Sequence, residues 1–198
     1  NNGKVFEHVA TARTKPAVHW KLRFQSPLIS TLLIDLNPQK QVSNLLAASA
    51  LLAHHHGDDA TAIARVEDMF FVSRAVGKQP FTVSHLVSMG ISALACDVLR
   101  QIAPDLRVTG GTAIDPSGKP AERRRIEALI ADLLDDAPTR AAFRRAMHAE
   151  RVAQMDGTQL FAKGDTRFIG GVMGGGGPQP AFGVMGGVLR PVIYQDGL

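Results

Sequence analysis

His54-His55-His56-Gly57-Asp58-Asp59 is the densest group of chemically capable side chains in the chain. Successive residues of a helix point about 100° apart, so three consecutive imidazoles cannot converge on one ion. Zinc sites on helices need i, i+4 spacing or ligands from separate elements. Phosphohydrolases that use a contiguous His-Asp pair need the two residues adjacent, and Gly57 separates them here. Histidines in a last turn, a glycine beyond it and aspartates after that read instead as one helix ending and another beginning. No metal site is expected. Asp135-Asp136 reads the same way, as solvated charge at a helix end.

Nucleophilic chemistry finds no support either. There is no Gly-x-Ser-x-Gly, and the single cysteine, Cys96, sits among Leu94, Val98 and Leu99, where an apolar helix surface should bury it and raise its pKa. One cysteine excludes an intramolecular disulfide. The tract Gly170 to Gly187, nine glycines in 18 residues, lacks the lysine and Ser/Thr of a phosphate-binding Walker loop. Gly118-Lys119 fails that template too, because Pro120 follows the lysine. The expectation is a protein that is not an enzyme and has no cofactor. Glycines 174, 175, 176 and 177 (Gly174, Gly175, Gly176, Gly177) remain candidates for close backbone approach to a ligand.

Basic groups say more. The formal net charge is +4 and the isoelectric point about 9.6, which favours anionic partners. Arg123, Arg124 and Arg125 open a helix, where the macrodipole disfavours cations and an anion would relieve them. Arg140, Arg144, Arg145 and Arg151 form a second cluster. Near the N-terminus Val18, Trp20, Leu22 and Phe24 alternate with His19, Lys21, Arg23 and Gln25. Period two predicts a strand with one apolar and one basic face. Such a sheet is how RNA-binding α+β folds present themselves.

These groups need elements to carry them. Residues 1–16 read as a polar arm without an apolar signal-like core. After the strand from Val18, Leu28 to Leu36 reads as a second one. Asn37-Pro38 then begins a helix that ends near His56, and Asp58-Asp59 begins another that closes at Gly77. Pro80 to Ile102 predicts the most buried helix, interrupted by His85, Ser88, Asp97 and Arg100 and so too polar to span a bilayer. A Gly/Pro-rich loop follows. Ala121 to Asp135 is then a helix with Ile126, Leu129, Ile130, Leu133 and Leu134 inward, and Pro138 to Met155 is a last one. Beyond Asp156 helical periodicity gives way to glycines and short apolar runs, which predict late strands.

Two segments suggest a family. HWKLRFQSPLIS, residues 19–30, resembles the first strand of the RAMP superfamily, the RRM-like subunits that line guide RNA in CRISPR effector complexes. FIGGVMGGGGPQPAFGVMGGVLRPV, residues 168–192, is similar to the glycine-rich region that some backbone subunits carry before a late strand, those of type IV complexes most of all. Together they cover about 40 of 198 residues. The helical middle and the missing basic turn after the first helix depart from that pattern.

The resulting expectation is an α+β fold, with an RRM-like (ferredoxin-like) antiparallel sheet from residues 17–36 and 158–195. A helical lobe, about 38–155, would be inserted in one domain that follows the arm. The function expected is a cytoplasmic, non-enzymatic RNA-binding subunit of an antiviral ribonucleoprotein, holding guide RNA by its phosphates, with copies of itself or other subunits as partners and no membrane. The alternative is a phage- or plasmid-encoded assembly protein whose glycine-rich segment pairs with neighbouring subunits.

Overall fold

The computed structural model describes residues 3–15, 17–28, 36–109 and 118–164. Six α-helices occur among them: α1 Gly3–Arg13, α2 Leu36–His55, α3 Asp59–Val76, α4 Thr82–Ile102, α5 Arg123–Leu134 and α6 Ala137–Ala162. The chain divides into two compact units, residues 1–19 with 35–146, and residues 20–34 with 147–198.

The first unit is built around α3. Eleven of its 18 residues are buried, against six of 21 in α4, so α3 is the central helix and not α4 as the apolar count predicted. The reason is composition. Ala62, Ile63, Val66, Met69, Val72, Ala75 and Val76 spread small and branched residues around α3, letting α2 and α4 pack on different sides of it. From α2 come Leu46, Ala47 and Ala50, and from α4 Ile91, Ala95, Val98 and Ile102. Burying Leu46, Ile63, Met69 and Ile102 contributes roughly 1.5–3 kcal/mol each. A polar pin adds register: Ser73 Oγ lies 2.7 Å from Ser92 Oγ and 2.8 Å from the Ser88 carbonyl, while Ser88 Oγ donates to the Ser73 carbonyl at 2.8 Å.

The segment expected to be an arm is helix α1, which buries none of its residues. Polar and cation–π contacts hold it to α3. The Arg65 guanidinium lies 4.2 Å from the Phe6 ring centre, and Arg13 Nη1 reaches Glu67 Oε2 at 2.8 Å and Asp68 Oδ1 at 3.2 Å.

No strand occurs among the described residues, which overturns the α+β, RRM-like sheet. Residues 17–25 keep the alternation only in part: Val18, Trp20 and Leu22 are half-buried, but Phe24 is exposed and no strand pairs with them. Leu22 N donates to the Trp20 carbonyl at 2.7 Å, a tight turn that leaves a ladder incompatible with that backbone. Period two records which side chains face a neighbour, and it does not supply the partner strand. Most of the second expected strand and nearly all of the late ones fall outside the described residues, and the start of the late segment, 158–162, is the end of α6. The two isolated bridges that do occur, Asp58 with Lys119 and Val108 with Ala121, stitch loops in the first unit.

In the second unit Asp156, on the last part of α6, accepts from Ser26 Oγ at 2.9 Å and from Leu28 N at 2.7 Å, closing the turn that contains a cis Ser26-Pro27 bond.

The middle of the chain follows its sequence closely. α4 has a mean hydropathy of 1.5 over its most apolar 18 residues, enough by length and composition alone to cross a bilayer. Here it packs on α2 and α3 through one face, and Leu86, Met89 and Cys96 are exposed on another. Cys96 is therefore not the buried thiol its neighbours suggested: Ala95 and Val98 take the inward positions and the cysteine, 100° away, faces outward.

Candidate functional site

The histidine–aspartate run makes a helix junction. Gly57 adopts φ +76°, Asp58 N donates to the Ala53 carbonyl at 2.8 Å, and Gly57 N to the His54 carbonyl at 2.8 Å. This is the paired closure of a left-handed glycine cap. Asp58 then caps α3, its Oδ1 accepting from Thr61 N at 3.0 Å. Burial works to raise the Asp58 pKa, but the Thr61 N–H and the Lys119 ammonium outweigh it and hold it below the ordinary carboxylate value.

Asp59 does more than continue the helix. Its carboxylate is wholly buried and reaches three donors: His54 Nδ1 at 2.6 Å on Oδ1, and the Arg107 backbone N–H at 3.0 Å and Nε at 2.9 Å on Oδ2. Burial alone would push its pKa up; the bonds from His54 and Arg107 overcome that and lower it. A Nη of Arg107 also donates to the Gly57 carbonyl. A Cβ at Gly57 or at Gly118 would come within 2.6 Å of Nη2, so the two glycines leave the room the guanidinium occupies.

Beside this network is an open cavity of about 620 Å³. His54, His55 and His56 line it from the end of α2, Gln101 and Asp105 from the end of α4, and Arg107 with Gly118 from the segments that follow. Because His54 gives Nδ1 to Asp59, its Nε2 is the ring nitrogen left for another group. Among the described residues no three imidazole, thiol or carboxylate groups meet as metal ligands would.

Cations gather along the neighbouring edge. Lys119 N donates to the Gly57 carbonyl at 2.9 Å, and Ala121 N to the Arg107 carbonyl at 2.8 Å, so the chain from Lys119 runs against the α2–α3 junction. Arg123 N then donates to Thr109 Oγ1 at 3.2 Å as α5 begins. The Lys119 side chain is 76% exposed, though paired with Asp58 at 3.1 Å. Arg123 and Arg124 are exposed, and the first turn of α5 holds no acidic residue.

Arg125 differs from its two neighbours. Its Nε donates to Glu67 Oε1 at 3.1 Å and an Nη to Oε2, and that carboxylate raises its pKa, so its charge is spent inside the fold. His19 is exposed in the first unit, and Lys21 and Arg23 are exposed in the second. Gly174, Gly175, Gly176 and Gly177 lie outside the described residues. Sequence reasoning missed Asp59 and Arg107 as a pair. The spacing of 48 residues carries no local signal, and only Gly57 and Gly118, unexplained glycines at both sides of the guanidinium, hint at it.

No protein-family model, no curated protein and no solved structure matches this chain. The RRM-like architecture that the RAMP resemblance implied meets a helical unit without a sheet among the described residues, and that part of the expectation is withdrawn.

Proposed function

We propose that the chain is a non-enzymatic RNA-binding subunit that grips phosphates through the edge where α5 begins. The observation that supports this is the placement of exposed Arg123 and Arg124, with Lys119, beside the histidine-lined cavity. Two arginines at a helix N-terminus without a first-turn acid are electrostatically unfavourable until an anion arrives. Contacts of this kind fix a polymer by its backbone and do not read its sequence. The sheet face at Lys21 and Arg23 is no longer part of the reading.

The test is binding of a mixed-sequence single-stranded RNA by the wild type and by Lys119→Ala/Arg123→Ala/Arg124→Ala. Losing three phosphate contacts should weaken binding and reduce the salt-dependence slope by about 2. Equal affinity and slope in the two proteins would remove this edge from consideration.

A second reading, an assembly subunit, is favoured by a different observation. Ile130, Leu133 and Leu134 share one side of α5 and are 51%, 42% and 80% exposed, although their spacing is that of a buried face. If they meet neighbouring subunits, Leu133→Glu/Leu134→Glu should reduce the molar mass seen by light scattering. An unchanged mass would count against it.

A further inference from the structure

We propose that the cavity at the α2–α3 junction is a binding site for a phosphate- or sulfate-like oxyanion, and that it fills as its histidines take up protons. The inference goes beyond the RNA reading, because the cavity carries it and not Arg123 and Arg124.

The walls supply the right groups. Arg107 is fixed by the buried Asp59 carboxylate and the Gly57 carbonyl, so its guanidinium is held in place before any ligand arrives. His54 is oriented by the same carboxylate, Nδ1 to Oδ1 at 2.6 Å. His55 and His56 follow on the cavity wall, their rings 5.9 Å apart and tilted by 43°. The described network accounts for Asp59 fully, whereas it gives His55 and His56 no hydrogen-bond partner and leaves both in the wall of an open space of about 620 Å³. A tetrahedral oxyanion offers several acceptors to donors that converge from separate elements.

Charge decides when it binds. From α3, Asp59 offsets Arg107, and Asp58 is offset by Lys119. From the turn after α4, Asp105 adds an uncompensated negative charge to the wall. With neutral imidazoles the cavity therefore has no net attraction for an anion. Each imidazolium adds one positive charge within a confined space, and imidazoles are the side chains that make that change between about pH 5 and 8. Affinity should rise steeply on acidification.

Sulfate is the appropriate probe, since its own charge is constant over this range. Titrated by NMR, sulfate should move the ring signals of His54, His55 and His56 while leaving exposed His148 still, and should bind about tenfold or more tightly at pH 5.5 than at pH 7.5. His55→Gln/His56→Gln keeps the His54–Asp59 pair and should lose that pH dependence. Absence of binding at both values, binding that does not depend on pH, or an unchanged response in the double variant would each overturn the proposal. Short single-stranded RNA separates the sources of the oxyanion. RNA affinity that rises on acidification and is competed by sulfate identifies a backbone phosphate; sulfate binding without that rise identifies a free oxyanion. RNA binding that persists at pH 7.5 and depends on Arg123 and Arg124, with no sulfate site, sinks this inference alone.

Discussion

Arg107 binds Asp59 twice through one carboxylate oxygen, by its backbone N–H at 3.0 Å and by Nε at 2.9 Å, across 48 residues of sequence. The side chain and the main chain of one residue thus fasten the segment after α4 to the start of α3.

Removing the Asp59 charge should be costly. Asp59→Asn leaves Arg107 buried against a neutral group, and breaking a buried pair typically costs about 3–5 kcal/mol. Urea denaturation should show that loss. The pH dependence follows from the direction of the shift. A carboxylate held below its ordinary 3.8 adds stability above that value, and the contribution disappears as pH falls through the folded-state pKa. The wild type should lose stability below about pH 4 by more than the variant does.

Asp68 should behave in the opposite way. Burial raises its pKa despite the cations of Arg13 and Arg65, and its Oδ1 faces Arg13 without hydrogen-bond geometry. Its charged form is therefore the strained one. Between 3.8 and the raised folded value, stability falls as pH rises. Asp68→Asn should shift the urea midpoint by less than half as much as Asp59→Asn. A larger loss would mean that the ion pairs to Arg13 and Arg65 outweigh the burial.

Gly118→Ala tests the room around the guanidinium. The new methyl would come within 2.6 Å of Arg107 Nη2, so the side chain must leave its place or the loop must move. A loss of about 1–3 kcal/mol is expected, as for other overpacked sites. Gly57→Ala adds the cost of a left-handed backbone, about 1–2 kcal/mol more. Equal stability of Gly118→Ala and wild type would show that Arg107 is not confined there.

Cys96, exposed on α4, should react stoichiometrically with a thiol reagent in the native protein. Labelling only after denaturant is added would place it inside.

The helices of the middle were legible because their stop signals are local. Pro38, Gly57, Asp58 and Gly77 each act through their own backbone, and the observed α2 and α3 begin and end within a residue or two of them. Sidedness was less legible. Ile130, Leu133 and Leu134 have the spacing of a buried stripe, but the described residues leave them exposed, since periodicity shows that a helix has a face and not what covers it. The strand at Val18 failed for a related reason: alternation needs a neighbouring ladder, and none is described beside it. The Asp59 site was hidden because a buried carboxylate looks like any helix-capping aspartate until a distant arginine is folded onto it.

The hydroxyls of Ser73, Ser88 and Ser92 have one more effect. Apolar surfaces on two helices tolerate sliding along their axes, because dispersion is nearly indifferent to a shift of an ångström. Hydroxyls that exchange bonds at 2.7–2.8 Å do not tolerate it. They act as a vernier, holding α3 and α4 at one axial setting. A chain with alanine at all three positions would keep its helices and its compactness while losing that setting, so the loss would appear as broadened side-chain resonances between α3 and α4 before any loss of helical signal.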